Sequence, residues 1–226
     1  GSEMCIRDRN QADSNSIINQ SSNLNDKQKQ ALNDLINHAQ TKQQVAEIIA
    51  QANKLNNDMG TLKTLVEEQS KVHQQSKYIN EDPQVQNIYN DSIQKGQEIL
   101  NGTTDDVLNN NKIADAIQNI QLTKNDFHGE QKLQKTQQDA NNELNYLTNL
   151  NNSQRQSEHD EINSAPSRTE VSNDLNHAKA LNEVMRQLEN EVALENSVKK
   201  LSDFINEDES AQNEYSTAPV SYTHLR

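Results

Sequence analysis

Leucine-class side chains recur at spacings of three and four along most of this chain. After Ser167, the residues Val171, Leu175, Ala178, Leu181, Met185 and Leu188 fall on one helical face. Ser167 and Glu170 stand just ahead of that stripe at the spacing of a capping box, in which each side chain satisfies a free backbone N–H. Upstream, Leu133, Ala140, Leu144 and Leu147 share another helical face. Between the two, Asn152 or Ser153 is placed to cap a short helix ending near Ala165-Pro166. These three helices predict one small bundle. The stripe of its last helix continues past Leu188 through Val192, Val198 and Ile205, as far as the break at Asn206-Glu207-Asp208. Thr41 to Ile79 reads the same way, interrupted only by Gly60. A helix of roughly 39 residues would span about 58 Å. It would be the last helix of one bundle and the first of the next.

A second kind of bundle follows. Asp82-Pro83 opens a helix, with Asp as N-cap and Pro in the first turn, where its missing N–H costs nothing. Val85, Ile88, Tyr89, Ile93, Ile99 and Leu100 are expected to face inward, and Asn101-Gly102 ends the helix with a left-handed glycine. Thr104 is expected to cap a third helix, with Asp105 and Asp106 at its positive end. Ile113, Ile117, Ile120 and Phe127 complete the stripe, and Gly129 closes it. Later in the chain this bundle is cut short after Tyr215, and its remaining helix is expected to fray or stand out as a lone spur.

The chain also repeats itself at an offset of 126 residues. Leu24-Asn25 meets Leu150-Asn151, and Ile36-Asn37 meets Ile162-Asn163. Val45, Ala52, Leu55, Asn56, Met59 and Leu62 meet Val171, Ala178, Leu181, Asn182, Met185 and Leu188. Val66, Val72, Ile79-Asn80-Glu81-Asp82 and Tyr89 meet Val192, Val198, Ile205-Asn206-Glu207-Asp208 and Tyr215 without a gap. Self-similarity at a fixed period marks a repeat array. The identities fall mostly on apolar positions at helical spacing, so the repeat preserves a core and not a catalytic site. The expected fold is all-α: tandem three-helix bundles joined by long shared helices into an elongated rod.

Composition narrows the picture. Only 31% of the 226 residues are apolar and 3% aromatic, with no Trp, so one large core is excluded and the cores must be thin. Asn and Gln supply about a quarter of the chain, while Gly and Pro number 5 and 3, which favours helices over tight turns. The net charge of −13 disfavours nucleic acid, which needs clustered Lys and Arg, and anionic membrane surfaces. No apolar run is long enough to cross a membrane. The single Cys5 cannot form an internal disulfide. It lies in Gly1–Arg9, whose texture differs from the rest. The stretches 1–9 and 218–226 are set aside as non-native or disordered.

No residue set carries catalytic chemistry. Six His are present without a His-Glu-x-x-His, a Cys pair or a Cys–His constellation. His159-Asp160-Glu161 reads as a solvated helix face, because a zinc site needs convergent ligands at fixed spacing. Asp105-Asp106 lacks the closing acid of an EF-hand loop and reads as capping. Tyr78, Tyr89 and Phe127 read as core at helical spacing, not as exposed binding anchors. The chain is therefore expected not to be an enzyme. No catalytic, cofactor-binding or metal residue is assigned, and no ligand-binding residue is singled out.

The alternating units resemble the two modules of the staphylococcal extracellular matrix-binding protein family (Ebh/Embp type). Leu147-Thr-Asn-Leu-Asn-Asn-Ser-Gln-Arg155, then Ile162-Asn163 and the helix through Leu181-Asn182-Glu-Val-Met185, is similar to the family's GA-type module. Leu188 to Tyr215, and in full Leu62 to His128, is similar to its FIVAR module. The resemblance implies a GA-type module at 10–62 with a degenerate first helix, and a FIVAR-type module at 63–128. A second GA-type module is expected at 129–188, followed by a truncated FIVAR-type module at 189–217. It further implies a segment of a giant, extracellular, cell-wall-associated adhesin of a Gram-positive bacterium. That protein would bind host matrix, fibronectin above all, as a monomer through many weak contacts. The alternatives are a non-binding spacer of the cell envelope and a serum albumin-binding module. The sequence departs from the pattern at Glu158 and Glu161, where the first copy has Leu32 and Leu35, which weakens the apolar face of the short helix.

Overall fold

The computed structural model describes residues 2–201 and 206–222, with side chains for 8–201 and 206–216. Every regular element among the described residues is a helix: α1 Ser2–Asn19, α2 Asp26–His38, α3 Lys42–Glu67, α4 Gln69–Val72, α5 Ser76–Ile79, α6 Pro83–Leu100, α7 Asn110–Asn125, α8 Gly129–Asn145, α9 Asn152–Ser164, α10 Arg168–Lys199 and α11 Glu209–Tyr222. They form two units, Gly1–Glu130 and Gln131–Arg226.

In the first unit α3 is shared between the two bundles, and it stays helical through Gly60. It buries Val45, Ala52, Leu55, Met59, Leu62 and Leu65, and packs on α1 and α2 as well as on α6 and α7. One apolar core therefore runs through both bundles, from Ile18, Leu32 and Ile36 to Tyr89, Ile93, Ile113 and Ile120. Close packing of α6 is possible because Gly96 has no side chain. A Cβ there would lie 3.1 Å from Ile120, Leu62 and Val66.

The second unit builds α8, α9 and α10 around Ala140, Leu144, Leu150, Ile162, Val171 and Ala178. Its helix boundaries repeat those of the first unit at the same 126-residue offset. Asp26–His38 becomes Asn152–Ser164, and α10 starts where α3 would map. The expected lone spur is not seen: α11 packs back on α10.

Several expectations are corrected. The run from Thr41 to Ile79 is not one helix. It stays helical up to His73, with Glu68 N–H on Thr64 O (3.1 Å) and Val72 N–H on Glu68 O (3.0 Å). At Gln75 the backbone then turns extended. The turn lets Tyr78 fold back over His73, ring on ring at 4.5 Å, and against Tyr89 and Phe127. Ile79 ends 47% exposed, so its place in the apolar stripe did not mark a buried face. In the second unit α10 stops at Lys199, the counterpart of His73, and Ile205 lies outside the described residues.

Thr104 does not cap the third helix. Asp106 takes a left-handed φ of 57°, which no helix can include, and α7 starts at Asn110 with Asn109 as its cap. The loop runs longer so that Leu108 reaches the core. Ile88 is 50% exposed and not inward. The short helix α9 is capped by Asn151, one residue before the expected pair. Ser167 accepts from Glu170 N–H, while full capping boxes form at Asn25–Gln28 and Asn151–Gln154. Gly129 does not close α7, which ends at Asn125, but opens α8. A Cβ on it would collide with the backbone carbonyl of Lys77. Helix α1 runs through most of the 1–9 stretch set aside above.

Candidate interaction surface

Several of the Asn and Gln side chains have a definite use: from within one helix they latch the turn or the end of another. Asn56 Oδ1 accepts from the backbone N–H of Asn23 at 2.9 Å, and Asn182 Oδ1 accepts from Asn149 N–H at the same distance. Gln11 Nε2 donates to Ile36 O at 3.1 Å, and Gln137 Nε2 to Ile162 O at 3.3 Å. Asn15 Nδ2 reaches Asn37 Oδ1, and Asn141 Nδ2 reaches Asn163 Oδ1. The Asn56 and Asn182 bonds occupy turn N–H groups, and the Gln11 and Gln137 bonds add a second donor to helix-end carbonyls that also accept from Ala39 N–H and Ala165 N–H. Each residue is identical in the two copies. That polar identity at the repeat offset was the signal that apolar pattern-reading passed over.

Within the first unit, the capping box of α2 does a second job. Asn25 Nδ2 donates to Ile99 O at 3.2 Å, and Gln28 Nε2 to Val107 O at 3.1 Å. The start of α2 is thus tied to the end of α6 and the loop before α7. Asn110 Nδ2 adds a bond to Asp58 Oδ2 at 3.0 Å. Two open grooves flank this junction. One, of 520 Å³, is lined by Ala50, Gln51, Lys54 and Leu108–Asn111. The other, of 270 Å³, is lined by Ser22–Asn25, Lys63, Val66, Glu67, Gln97 and Leu100. Both are shallow and mixed in polarity, suited to weak contact with a protein surface more than to enclosing a small molecule.

The residues weighed in the sequence fall into place as structure. Tyr89 is fully buried, Phe127 nearly so, and Tyr78 half-buried, with edge contacts at 5.3–6.3 Å among them. Burial pushes the Tyr89 hydroxyl up to about 12, helped by the nearby charge of Glu68 and by Tyr78. Asn90 ties the cluster together, donating to Tyr78 Oη at 3.0 Å and meeting His73 Nε2 at 2.8 Å. Asn80 and Glu81 of the helix break are buried. Glu81 accepts from Asp82 N–H at 2.8 Å and from His128 N–H at 2.7 Å.

His159 forms a bridge, its ring nitrogens facing Asn141 Oδ1 (2.7 Å) and Asn145 Oδ1 (3.1 Å). It takes the place of Asn33, which reaches Asn19 Oδ1 at 2.8 Å in the first unit. Arg155 covers the end of α8 by donating to Leu144 O and Leu147 O at 3.0 and 2.9 Å. Glu158 is 5% exposed, in the core slot of Leu32, and meets His177 Nδ1 at 3.1 Å. Glu161 is exposed, as is its counterpart Leu35 at 42%. That position faces solvent in both copies, so only Glu158 alters a core. Among the described residues, no group of three or more His, Cys, Asp or Glu is placed to hold a metal. No described helix is long and apolar enough to cross a membrane.

The arrangement defines a class: alternating three-helix modules of two kinds, stitched by polar latches at their ends. Residues 8–58 and 130–184 match the GA module, and residues 58–128 and 184–218 match the FIVAR domain. The chain is 38% identical over 201 residues, 89% of its length, to the extracellular matrix-binding protein EbhA of Staphylococcus aureus strain N315, and equally to ebh of strain JH9. It spans 3% and 2% of the length of those relatives. A crystal structure of an EbhA domain from Staphylococcus aureus superposes with a TM-score of 0.72 at 20% identity, over 78% of this chain and 72% of that one. A second structure has a TM-score of 0.51 at 33% identity, over 54% of this chain and 97% of that one. It is described as "Characterization of extracellular matrix binding protein- (Embp)-mediated Staphylococcus epidermidis adherence to fibronectin". This chain belongs to the staphylococcal extracellular matrix-binding protein family, built of tandem GA and FIVAR modules.

Proposed function

We propose that this chain is a non-enzymatic repeat segment of a giant, cell-wall-associated surface protein, and that it holds host extracellular matrix, fibronectin in particular, by multivalent weak contacts. The observation that carries this reading is the 33% identity to the structure described in connection with Embp-mediated adherence to fibronectin, which the chain covers almost entirely. Open, shallow grooves at the module junction fit weak individual contacts. Repetition then raises avidity through effective concentration.

The test uses fibronectin immobilised on a sensor surface, with serum albumin as the comparison ligand. The chain and a tandem array of it are passed over both as monomeric proteins. Apparent affinity for fibronectin should rise more steeply than copy number. Absence of binding, or no gain with copy number, overturns the proposal. A spacer role is the second reading, favoured by the single core shared between two modules of the first unit. It predicts no response on either surface.

A further inference from the structure

Asn101-Gly102 is the only Asn-Gly pair in the chain. Asn101 is exposed at the end of α6, and Gly102 is buried with a φ of +69°. Glycine after asparagine leaves the backbone nitrogen open to approach, since no side chain shields it. In the folded turn that nitrogen is engaged: Gly102 N–H donates to Ile99 O at 3.1 Å. Asn101 Oδ1 is held by Gln97 Nε2 at 3.0 Å. Asn25 Nδ2 also donates to Ile99 O, at 3.2 Å, and lies 3.3 Å from where a Cβ of Gly102 would sit. The contact that joins the GA and FIVAR modules therefore also clamps the reactive turn.

We propose that Asn101 is a self-modification site whose slow deamidation is gated by opening of this module junction. When the turn opens, the Gly102 nitrogen gives up its proton and attacks Asn101 Cγ. The bond from Cγ to the side-chain nitrogen breaks, and that nitrogen leaves as ammonia, taking up the proton. A five-membered succinimide results. Water then adds to one of its carbonyls. Opening at the side-chain carbonyl gives aspartate, and opening at the main-chain carbonyl gives isoaspartate, with the backbone routed through Cβ. No oxidant or reductant is involved.

Either product places a carboxylate at the negative end of α6, where helix carbonyls disfavour it. Isoaspartate also lengthens the backbone inside a turn that holds Gly102 N–H on Ile99 O and Thr103 N–H on Glu98 O, both at 3.1 Å. The junction bonds of Asn25 and Gln28 should loosen with age, so that conversion promotes further opening around them.

The experiment incubates the full chain in mildly alkaline buffer at body temperature and follows Asn101 by peptide mass mapping. A peptide spanning residues 95–110 serves as the unfolded reference. Asn101 should gain about one dalton, with aspartate and isoaspartate resolved by chromatography, at least tenfold more slowly than in the peptide. Asn25→Ala removes the junction bond to Ile99 O and the cap on Gln28 N–H, and should accelerate the gain by at least about fivefold, the factor for loss of one ordinary hydrogen bond. Amide exchange at Gly102 in the unmodified chain gives a second readout that needs no variant, and its opening rate should track the deamidation rate under graded urea. A folded chain that never converts, converts as fast as the peptide, or converts at a rate unrelated to Gly102 exchange overturns the proposal.

Discussion

Replacing Glu158 by Leu should stabilise the second unit. In the first unit the same slot holds Leu32, fully buried. Glu158 is 5% exposed and meets His177, whose side chain is 73% exposed. The carboxylate thus bears most of the desolvation cost while its partner stays in water, where attraction is screened. Burying a leucine side chain contributes about 1.5–3 kcal/mol relative to leaving it exposed. Replacing buried charged groups by well-packed apolar side chains of similar volume is often neutral or stabilising, by up to about 4 kcal/mol. Removing the carboxylate strands nothing, because His177 remains solvated. The expected gain is about 2 kcal/mol, which for a unit of under one hundred residues raises its Tm by about 8–16 °C. Urea unfolding read by amide exchange separates the second unit from the first. A double-mutant cycle with His177→Ala isolates the pair. A variant no more stable than the parent, or a coupling energy to His177 above about 3 kcal/mol, would refute the argument.

Other outcomes follow from the same physics. Asn182→Ala leaves the N–H of Asn149 without its acceptor and should cost about 1–3 kcal/mol; Asn56→Ala should cost the same in the first unit, both by equilibrium unfolding. Tyr89 ionises at about 12 when folded and near its ordinary 10 when unfolded. Its contribution is complete below pH ~10 and is lost as pH rises through ~12; absorbance titration should show one late phenolate, absent in Tyr89→Phe. Gly129→Ala forces a Cβ against the backbone carbonyl of Lys77 and should destabilise the end of the first unit by more than the roughly 1 kcal/mol that alanine adds to a helix. Amide exchange in Ser76–Asn80 should report it.

The helices were legible because thin cores demand strict spacing. Val171, Ala178, Ile162 and Leu144 lie fully or almost fully buried, as the stripe required. What escaped was set by contacts between distant residues. The end of the long helix near His73 depends on an aromatic ring returning from Tyr78, which no local pattern records. Asp106 was read as a helix-start acid, although its backbone adopts a turn that only the packed loop explains. The latch residues, from Gln11 and Asn15 to Asn56, were visible as repeat identities, but Asn and Gln look alike on every outer face until a partner is placed. The candidate surface was not legible at all, because the grooves beside Asn25 and Leu108 arise from a junction between modules and not from a motif.

Helix α3 belongs to two neighbours at once, and this bears on mechanical load. Where separate domains hang on a flexible linker, a pull can extend the slack first and unravel one domain alone. No such slack lies between the two modules of the first unit. Tension along α3 acts on a rod of hydrogen bonds whose inner face is gripped by α1 and α2 at one end and by α6 and α7 at the other. Tearing either grip bares part of a core that both share. Single-molecule stretching should therefore show the pair yielding in one event, with a contour-length gain spanning both modules, and not as two successive steps.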